Sequence, residues 1–369
     1  MSPQFDNPAE ESFSSTSGHS PIRQFIAKTV EPQRKKLNTW DNPLATKSIL
    51  LQDARKRRRT TPKNIGNSHL LMYKERLIGG ATWVNGGVTT LVSQQAQHAT
   101  QSLQLMRQYL KASDVAVLPG RTYHIDRYPA AHADMKSMQT AVTLRPTSAR
   151  VHGGTTVNIT NPKHFEGAWR KAAKACQGLR PLDQQVELEE YHPGVTLRLY
   201  VVGEEAVAAV VRVPLYVVGN GSSTIGALVD HEIQRRSACD YLAKAQPTVD
   251  DEFLQSVALT RETVPKAGEI VLLSHSGDRR AGGISVDVLD KLDPQLHALA
   301  VDAMWAFPGL AASAVDILTP ALDGAQQALV VDVDPHADIA EFLYPAYGEY
   351  RRVGLSILDH MIHSPNRRR

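Results

Sequence analysis

Three aspartates in the last sixty residues carry the sharpest chemical signal in this sequence. Asp316 lies in the apolar run Ala314–Leu318, and Asp332 and Asp334 follow the apolar run Ala328–Val331. Residues two apart on a strand share a face. Carboxylates gathered in this way repel one another unless a cation sits between them. Mg²⁺ suits them, because it takes hard oxygen ligands and keeps phosphates in its shell. The bland alternative is a set of surface carboxylates at strand ends. Arg145 stands before Pro146, a rigid place from which to hold an anion. Gly153 and Gly154 would let backbone N–H groups approach phosphate oxygens without a side-chain clash; a plain hairpin turn explains the same pair. Glu187, Glu189 and Glu190 put carboxylates on both faces of one strand, which a solvated edge strand would also do. Arg198, Arg279 and Arg280 are guanidinium groups of the kind that binds carboxylate or phosphate bidentately.

These groups need elements to hold them. Apolar periodicity predicts a helix over Ser48–Arg59 and another over Gln95–Leu110. A strand followed by a turn is expected at Val115–Gly120, a helix at Pro129–Met138 and strands at Ala141–Pro146 and Thr155–Thr160. Asn161 caps a helix from Pro162 to Gly178. Strands at Gln185–Tyr191, Leu197–Val202 and Ala206–Val218 follow, the last two as a hairpin over Gly203. Further on come a helix at Ile225–Leu242, strands at Glu269–Leu273 and Ile284–Val288, and a helix at Pro294–Phe307. Strands at Ser313–Leu318 and Ala328–Val333 and a helix at Gly348–Ile362 close the chain. Neighbouring strands read as hairpins, which argues for α+β lobes rather than one doubly wound sheet.

Composition sets outer bounds. The chain has 369 residues, 42% hydrophobic and 21% charged, as expected of a globular protein. A net charge of +3 does not call for a nucleic-acid partner. The only cysteines, Cys176 and Cys239, make no disulfide framework, and Cys176 reads as core; a reducing, cytoplasmic setting is expected. No apolar run is long enough to span a membrane. The basic run Arg55–Arg59 reads as the solvated end of its helix. His124, Asp126, His132 and Asp134 read as an ordinary turn and helix rather than a transition-metal site.

Glu187-Leu-Glu-Glu-Tyr-His-Pro-Gly194, then Arg198, then Arg212-Val-Pro-Leu-Tyr-Val-Val-Gly-Asn-Gly221 with Ser223-Thr-Ile-Gly226, form an ordered series. Upstream stand Thr143-Leu-Arg-Pro146, Gly153-Gly154 and Asn158-Ile159. Downstream stand Gly282-Gly283, Asp287-Val288 with Asp290, Asp316-Ile-Leu-Thr-Pro320 and Val331-Asp-Val-Asp334. In order and spacing the series resembles the ATP-grasp domain of cyanophycin synthetase and of bifunctional glutathione synthetase. The resemblance covers roughly residues 47 to 362. It implies an α+β ATP-grasp fold with the nucleotide held between two lobes. The expected division is a flexible tail over 1–45, a preceding lobe over 46–95, a small lobe with the phosphate loop over 96–185, and a C-terminal lobe with the Mg²⁺ site over 186–369.

The resemblance also implies roles. ATP and Mg²⁺ are the expected cofactors. Arg145, Gly153 and Gly154 would hold phosphates, Glu187 and Leu188 would read the base, and Glu190 would hold the ribose. Asp316, Asp332 and Asp334 would bind the metal. Arg198 would take a substrate carboxylate, while Arg279 and Arg280 would face the transferred phosphate. The implied activity is a carboxylate–amine ligation through an acyl phosphate, on amino acids or a short peptide. Neither a nucleic acid nor a membrane is an expected partner, and a homo-oligomer is compatible. Six positions depart from the family pattern: Gln97 replaces a lysine, Arg145 a lysine, Asp278 an asparagine, Asp332 a glutamate, Asp334 an asparagine and Asn220 an aspartate. Gln97, Asp278 and Asp334 motivate a second reading, a non-catalytic ATP-grasp module that binds nucleotide or a partner. A third, nucleic-acid binding through Arg55–Arg59 and Arg367–Arg369, lacks interleaved aromatic residues.

Overall fold

The computed structural model describes residues 20–83, 87–149, 151, 153–245, 247 and 249–363. Fifteen strands are described: β1 (Thr61–Ile65), β2 (Ser68–Tyr73), β3 (Arg76–Thr82), β4 (Val88–Thr89), β5 (Gly120–His124), β6 (Val142–Pro146), β7 (Thr156–Ile159), β8 (Gln185–Glu190), β9 (Val195–Val202), β10 (Glu205–Val213), β11 (Tyr216–Val218), β12 (Ile270–Leu272), β13 (Ile284–Asp287), β14 (Ala312–Thr319) and β15 (Leu329–Asp334). They form four sheets, ordered β1-β2-β3-β4, β5-β8-β6-β7, β13-β10-β9-β14-β15 and β11-β12. Every ladder between these strands is antiparallel. The α+β expectation rested on hairpin-like neighbours, and this is the arrangement found.

The five-stranded sheet is the centre of the main core. Leu197, Leu199 and Val201 are buried and so are the alternating Arg198, Tyr200 and Val202; Ala208 and Val210 are buried with Ala209 and Val211, and Ala314 with Val315, so β9, β10 and β14 are covered on both faces. The helices Pro294–Trp305 and Val353–His363 pack on this sheet. A second core lies between the β5-β8-β6-β7 sheet and the helix Pro162–Cys176, where Val142, Leu144, Val186 and Leu188 meet Phe165, Trp169 and Ala172. Asn161 caps that helix by accepting the Lys163 N–H, and Pro162 occupies its first position. Cys176 is buried in this second core. His132 stacks on Tyr128 and Asp134 accepts from Arg121 and Tyr123, so these side chains build a helix contact.

Several expectations change. Residues 1–19 lie outside the described part, but the expected tail does not extend to residue 45. Helical turns run from Pro21 to Lys36, and Ile22, Phe25, Ile26 and Val30 enter the main core. Their spacing of three, four and eight residues is that of one helical face. The helix expected over Gln95–Leu110 is two helices, Gln94–Thr100 and Leu103–Ala112, the first capped by Ser93. Val115–Leu118 makes a single bridge, Val117 to Val330, and the strand begins at Gly120 instead. Among the described residues no helix is long and apolar enough to cross a membrane.

Candidate active site

A cavity of about 1090 Å³ opens between the β5-β8-β6-β7 sheet and the five-stranded sheet. One wall is the end of β6 and the loop after it, with Arg145, Ser148 and Gly153. The floor is β9, β10, β14 and β15, with Arg198, Arg212, Asp316, Asp332 and Asp334. The far side comprises the turn Gly277–Ser285 and the segment from Pro335 to Glu341.

Strand pairing brings the acidic residues together. Asp316 on β14 lies opposite Asp332 on β15 and, on its other side, opposite Arg198 on β9. Arg198 is only 4% exposed. Its Nη1 donates to Asp316 Oδ2 at 2.7 Å and its Nη2 donates to Asp334 Oδ2. Asp334 Oδ1 accepts the His336 N–H at 2.9 Å. Burial works against charge on Asp334, but Arg198 outweighs it and holds this carboxyl below its ordinary range. Asp332 is different: burial first, then the neighbouring Asp316 and Asp334 charges, push it up to about 6.

Arg198 therefore does not stand ready for a substrate carboxylate, because both terminal nitrogens are committed to the acidic cluster. The three-aspartate metal set changes with it. Among the described residues no three His, Cys, Asp or Glu side chains gather to hold a metal ion. What remains is a pair. Among the described residues Asp316 Oδ1 is buried with no hydrogen-bond partner, and Asp316 stands across the ladder from Asp332. An orphaned carboxylate oxygen beside a carboxyl of raised pKa fits a hard divalent cation. Asp334 serves Arg198.

The phosphate side is led by Arg145. Its Nε donates to Glu189 at 2.9 Å and its Nη2 to the Val331 carbonyl at 3.1 Å; no protein acceptor meets Nη1 among the described residues. Gly153 lies on the cavity with φ +87 and open space where a Cβ would stand. Gly154 has another role. A Cβ there would stand 2.8 Å from Ala175 Cβ and 3.3 Å from Ala172 Cα, so this glycine lets the loop sit against the Pro162–Cys176 helix.

The base-reading expectation for Glu187 and Leu188 meets a structural obstacle. β8 is a central strand, paired on one side with β5 and on the other with β6. Its backbone is occupied by both ladders, and Leu188 points into the helix-side core. Glu187 accepts from Arg107 and Thr122, and burial raises its pKa. Glu190 is exposed at the strand end, 4.0 Å from His192 Nε2. None of the three lines the cavity. The chain leaves the ladders only after Tyr191, at His192–Gly194.

Arg279 and Arg280 both reach the cavity on a tight turn. Arg279 stacks on Tyr241 with its guanidinium 4.5 Å from the ring centroid and donates to the Tyr241 carbonyl. Arg280 pairs with Asp278 at 3.0 Å. The turn closes because Gly283 has no side chain: a Cβ there would stand 2.2 Å from the Gly277 oxygen. Arg212, named in the sequence only as part of a motif, is held bidentately by Glu341 at 2.8 and 2.6 Å. Glu341, Asp338 and His336 also line the cavity, and no spacing signal in the sequence singled them out.

No family model matches the chain. It is 29% identical over 230 residues to the glutathione biosynthesis bifunctional protein GshAB of Mannheimia succiniciproducens, covering 59% of this chain and 30% of the relative. It is 26% identical over 249 residues to the cyanophycin synthetase of Geminocystis herdmanii, covering 64% of this chain and 27% of that protein. Among solved structures, a bifunctional glutathione synthetase from Pasteurella multocida superposes with a TM-score of 0.56 at 20% identity, over 86% of this chain and 43% of that one. The chain thus spans about a third of the length of the curated relatives it matches. The fold is the ATP-grasp fold, and the sequence is similar to both glutathione and cyanophycin synthetases.

Proposed function

We propose that this chain is an ATP-dependent carboxylate–amine ligase acting on amino acids or a short peptide. The observation that carries the reading is one cavity bounded by Arg145 and Gly153 on one side and by Asp316 and Asp332 on its floor. A polyanion needs cations and close backbone donors. Mg²⁺ at Asp316 and Asp332 would neutralise phosphate charge during transfer.

The rest follows from the chain's own groups. Arg145 Nη1 and the Gly153 loop orient the triphosphate. Arg279 and Arg280 stand on the opposite side, where charge accumulates as the γ-phosphoryl group passes to a substrate carboxylate oxygen. That step breaks the bond from the γ-phosphorus to the β,γ-bridging oxygen and releases ADP. A neutral amine then attacks the acyl carbon, the C–N bond forms, phosphate leaves with the electron pair of the C–O bond, and the proton lost by the amine nitrogen is taken up by the departing phosphate. Asp338 at the far side favours an amine over a second acid.

The test is release of ADP and phosphate on mixing the protein with ATP, Mg²⁺ and pools of amino acids and short peptides. Release that requires both an acid and an amine supports the reading. A folded protein that releases no ADP with any pair counts against it.

A further inference from the structure

Arg107 lies behind the cavity wall. It belongs to the helix Leu103–Ala112, on the same face as Leu103, Met106 and Leu110, all of them buried. Arg107 itself is 6% exposed. An arginine in such a place is costly unless its charge is met. It is met twice, by Glu187 through Nη1 and by Glu189 through Nη2. The same Glu189 oxygen accepts from Arg145 Nε at 2.9 Å.

The arrangement is built for this pair. Gly120 on β5 leaves room where a Cβ would stand 2.5 Å from Glu187 Oε1 and 2.7 Å from Arg107 Nη1. Thr122, two residues on, donates to the second Glu187 oxygen. Two cations and two anions thus balance in the buried layer. Of the four, only Arg145 reaches the cavity.

We propose that Arg107 is a positioning residue: by supplying a countercharge to Glu189, it leaves the Arg145 guanidinium available to an anion in the cavity. The proposal rests on the ligase reading for the identity of that anion, the triphosphate of a nucleotide. Without Arg107, Glu187 and Glu189 would face one cation between them. Arg145 would be drawn towards β8, and its charge would be cancelled where the anion needs it.

Calorimetric titration of the full-length protein with Mg²⁺–ATP and, separately, with inorganic tripolyphosphate tests this. Arg107→Gln leaves the buried layer one charge negative and should weaken both ligands about tenfold, the scale of one charge-assisted hydrogen bond. Arg107→Gln combined with Glu189→Gln restores the charge balance and should bring both back to within about threefold of wild type. Glu189→Gln alone frees Arg145 and should tighten tripolyphosphate. Thermal melts check folding. If Arg107→Gln does not fold, the double variant and Glu189→Gln carry the test. Unchanged binding by folded Arg107→Gln, a loss that the double variant fails to rescue, or weaker binding by Glu189→Gln overturns the proposal. Wild-type protein that binds tripolyphosphate but not ATP would sink the ligase reading and leave the role of Arg107 standing. Wild type that binds neither would sink both.

Discussion

Arg198 and Asp316 stand opposite each other on paired strands, with Nη1 2.7 Å from Oδ2 at the floor of the cavity. Both are buried, and the second Arg198 nitrogen holds Asp334. One guanidinium thus binds two of the three aspartates that the sequence suggested for a metal. Removing it leaves two carboxylates without their partner. Arg198→Met should destabilise the fold by about 3–5 kcal/mol, the usual consequence of breaking a buried ion pair. Urea unfolding measures it, and a loss below about 1 kcal/mol would show that the pair is solvated.

Asp332 makes a pH-dependent prediction. Its carboxyl is pushed up from an ordinary 3.8 to about 6 by burial and by Asp316 and Asp334. A raised carboxyl pKa means that the folded chain holds the proton more tightly than the unfolded chain. Stability therefore falls as pH rises through that window, and Asp332 stays ionised at a cost above it. A divalent cation removes this cost where the carboxylate is charged. Mg²⁺ should raise the melting temperature at pH 7.5 and lose this effect at pH 5. Asp332→Asn should abolish the Mg²⁺ shift at both values. Equal shifts at pH 5 and 7.5 in wild type would exclude Asp332 as a ligand.

Gly283 makes a steric prediction. The Gly277–Gly283 turn presents Asp278, Arg279 and Arg280 to the cavity, and its two ends touch backbone to backbone. A methyl group at Gly283 would meet the Gly277 oxygen at 2.2 Å. Gly283→Ala should cost about 1–3 kcal/mol by overpacking and reduce ADP release more than tenfold by displacing the two arginines. Gly178→Ala is the control, since nothing lies within 4 Å of its added carbon. A Gly283→Ala variant with wild-type stability and turnover would show that the turn can open freely.

The strands that carry the site were legible because their apolar runs are long and the acidic residues punctuate them. The direction of a side chain across a sheet was not. Arg198 alternates with apolar residues and could face substrate or neighbouring strand equally well; the pairing of β9 with β14, 118 residues apart at Arg198 and Asp316, decides it. β8 was legible as a strand, but its central place in the β5-β8-β6-β7 order depends on long-range pairing. That place keeps the backbone of Glu187 and Leu188 in two ladders. Arg107 did leave a trace, as one arginine on an otherwise apolar helix face, but its partners lie eighty residues away. The helical turns from Pro21 to Lys36 also had a readable face, diluted by the Pro- and Ser-rich residues before them.

Gln97 tests the electrostatics of the cavity directly. It lines the cavity with Arg145 and Thr147, and among the described residues its one side-chain bond, to the Val92 carbonyl, is long at 3.5 Å. The cavity holds Asp278, Asp316, Asp332, Asp334, Asp338 and Glu341 against Arg145, Arg198, Arg212, Arg279 and Arg280, so the carboxylates outnumber the arginines. Four of those arginines already have carboxylate partners, Arg198 in Asp316 and Asp334, Arg212 in Glu341, Arg280 in Asp278 and Arg145, through Nε, in Glu189. A triphosphate at the Arg145 wall therefore meets little free positive charge. Gln97→Lys adds one cation there without disturbing a strong bond. It should tighten ATP about tenfold, as one new charge-assisted contact would, and the gain should shrink as salt rises. Calorimetry at two ionic strengths measures both effects. Unchanged affinity at low salt would mean that the phosphates lie away from the Gln97 wall, nearer the Arg279 turn.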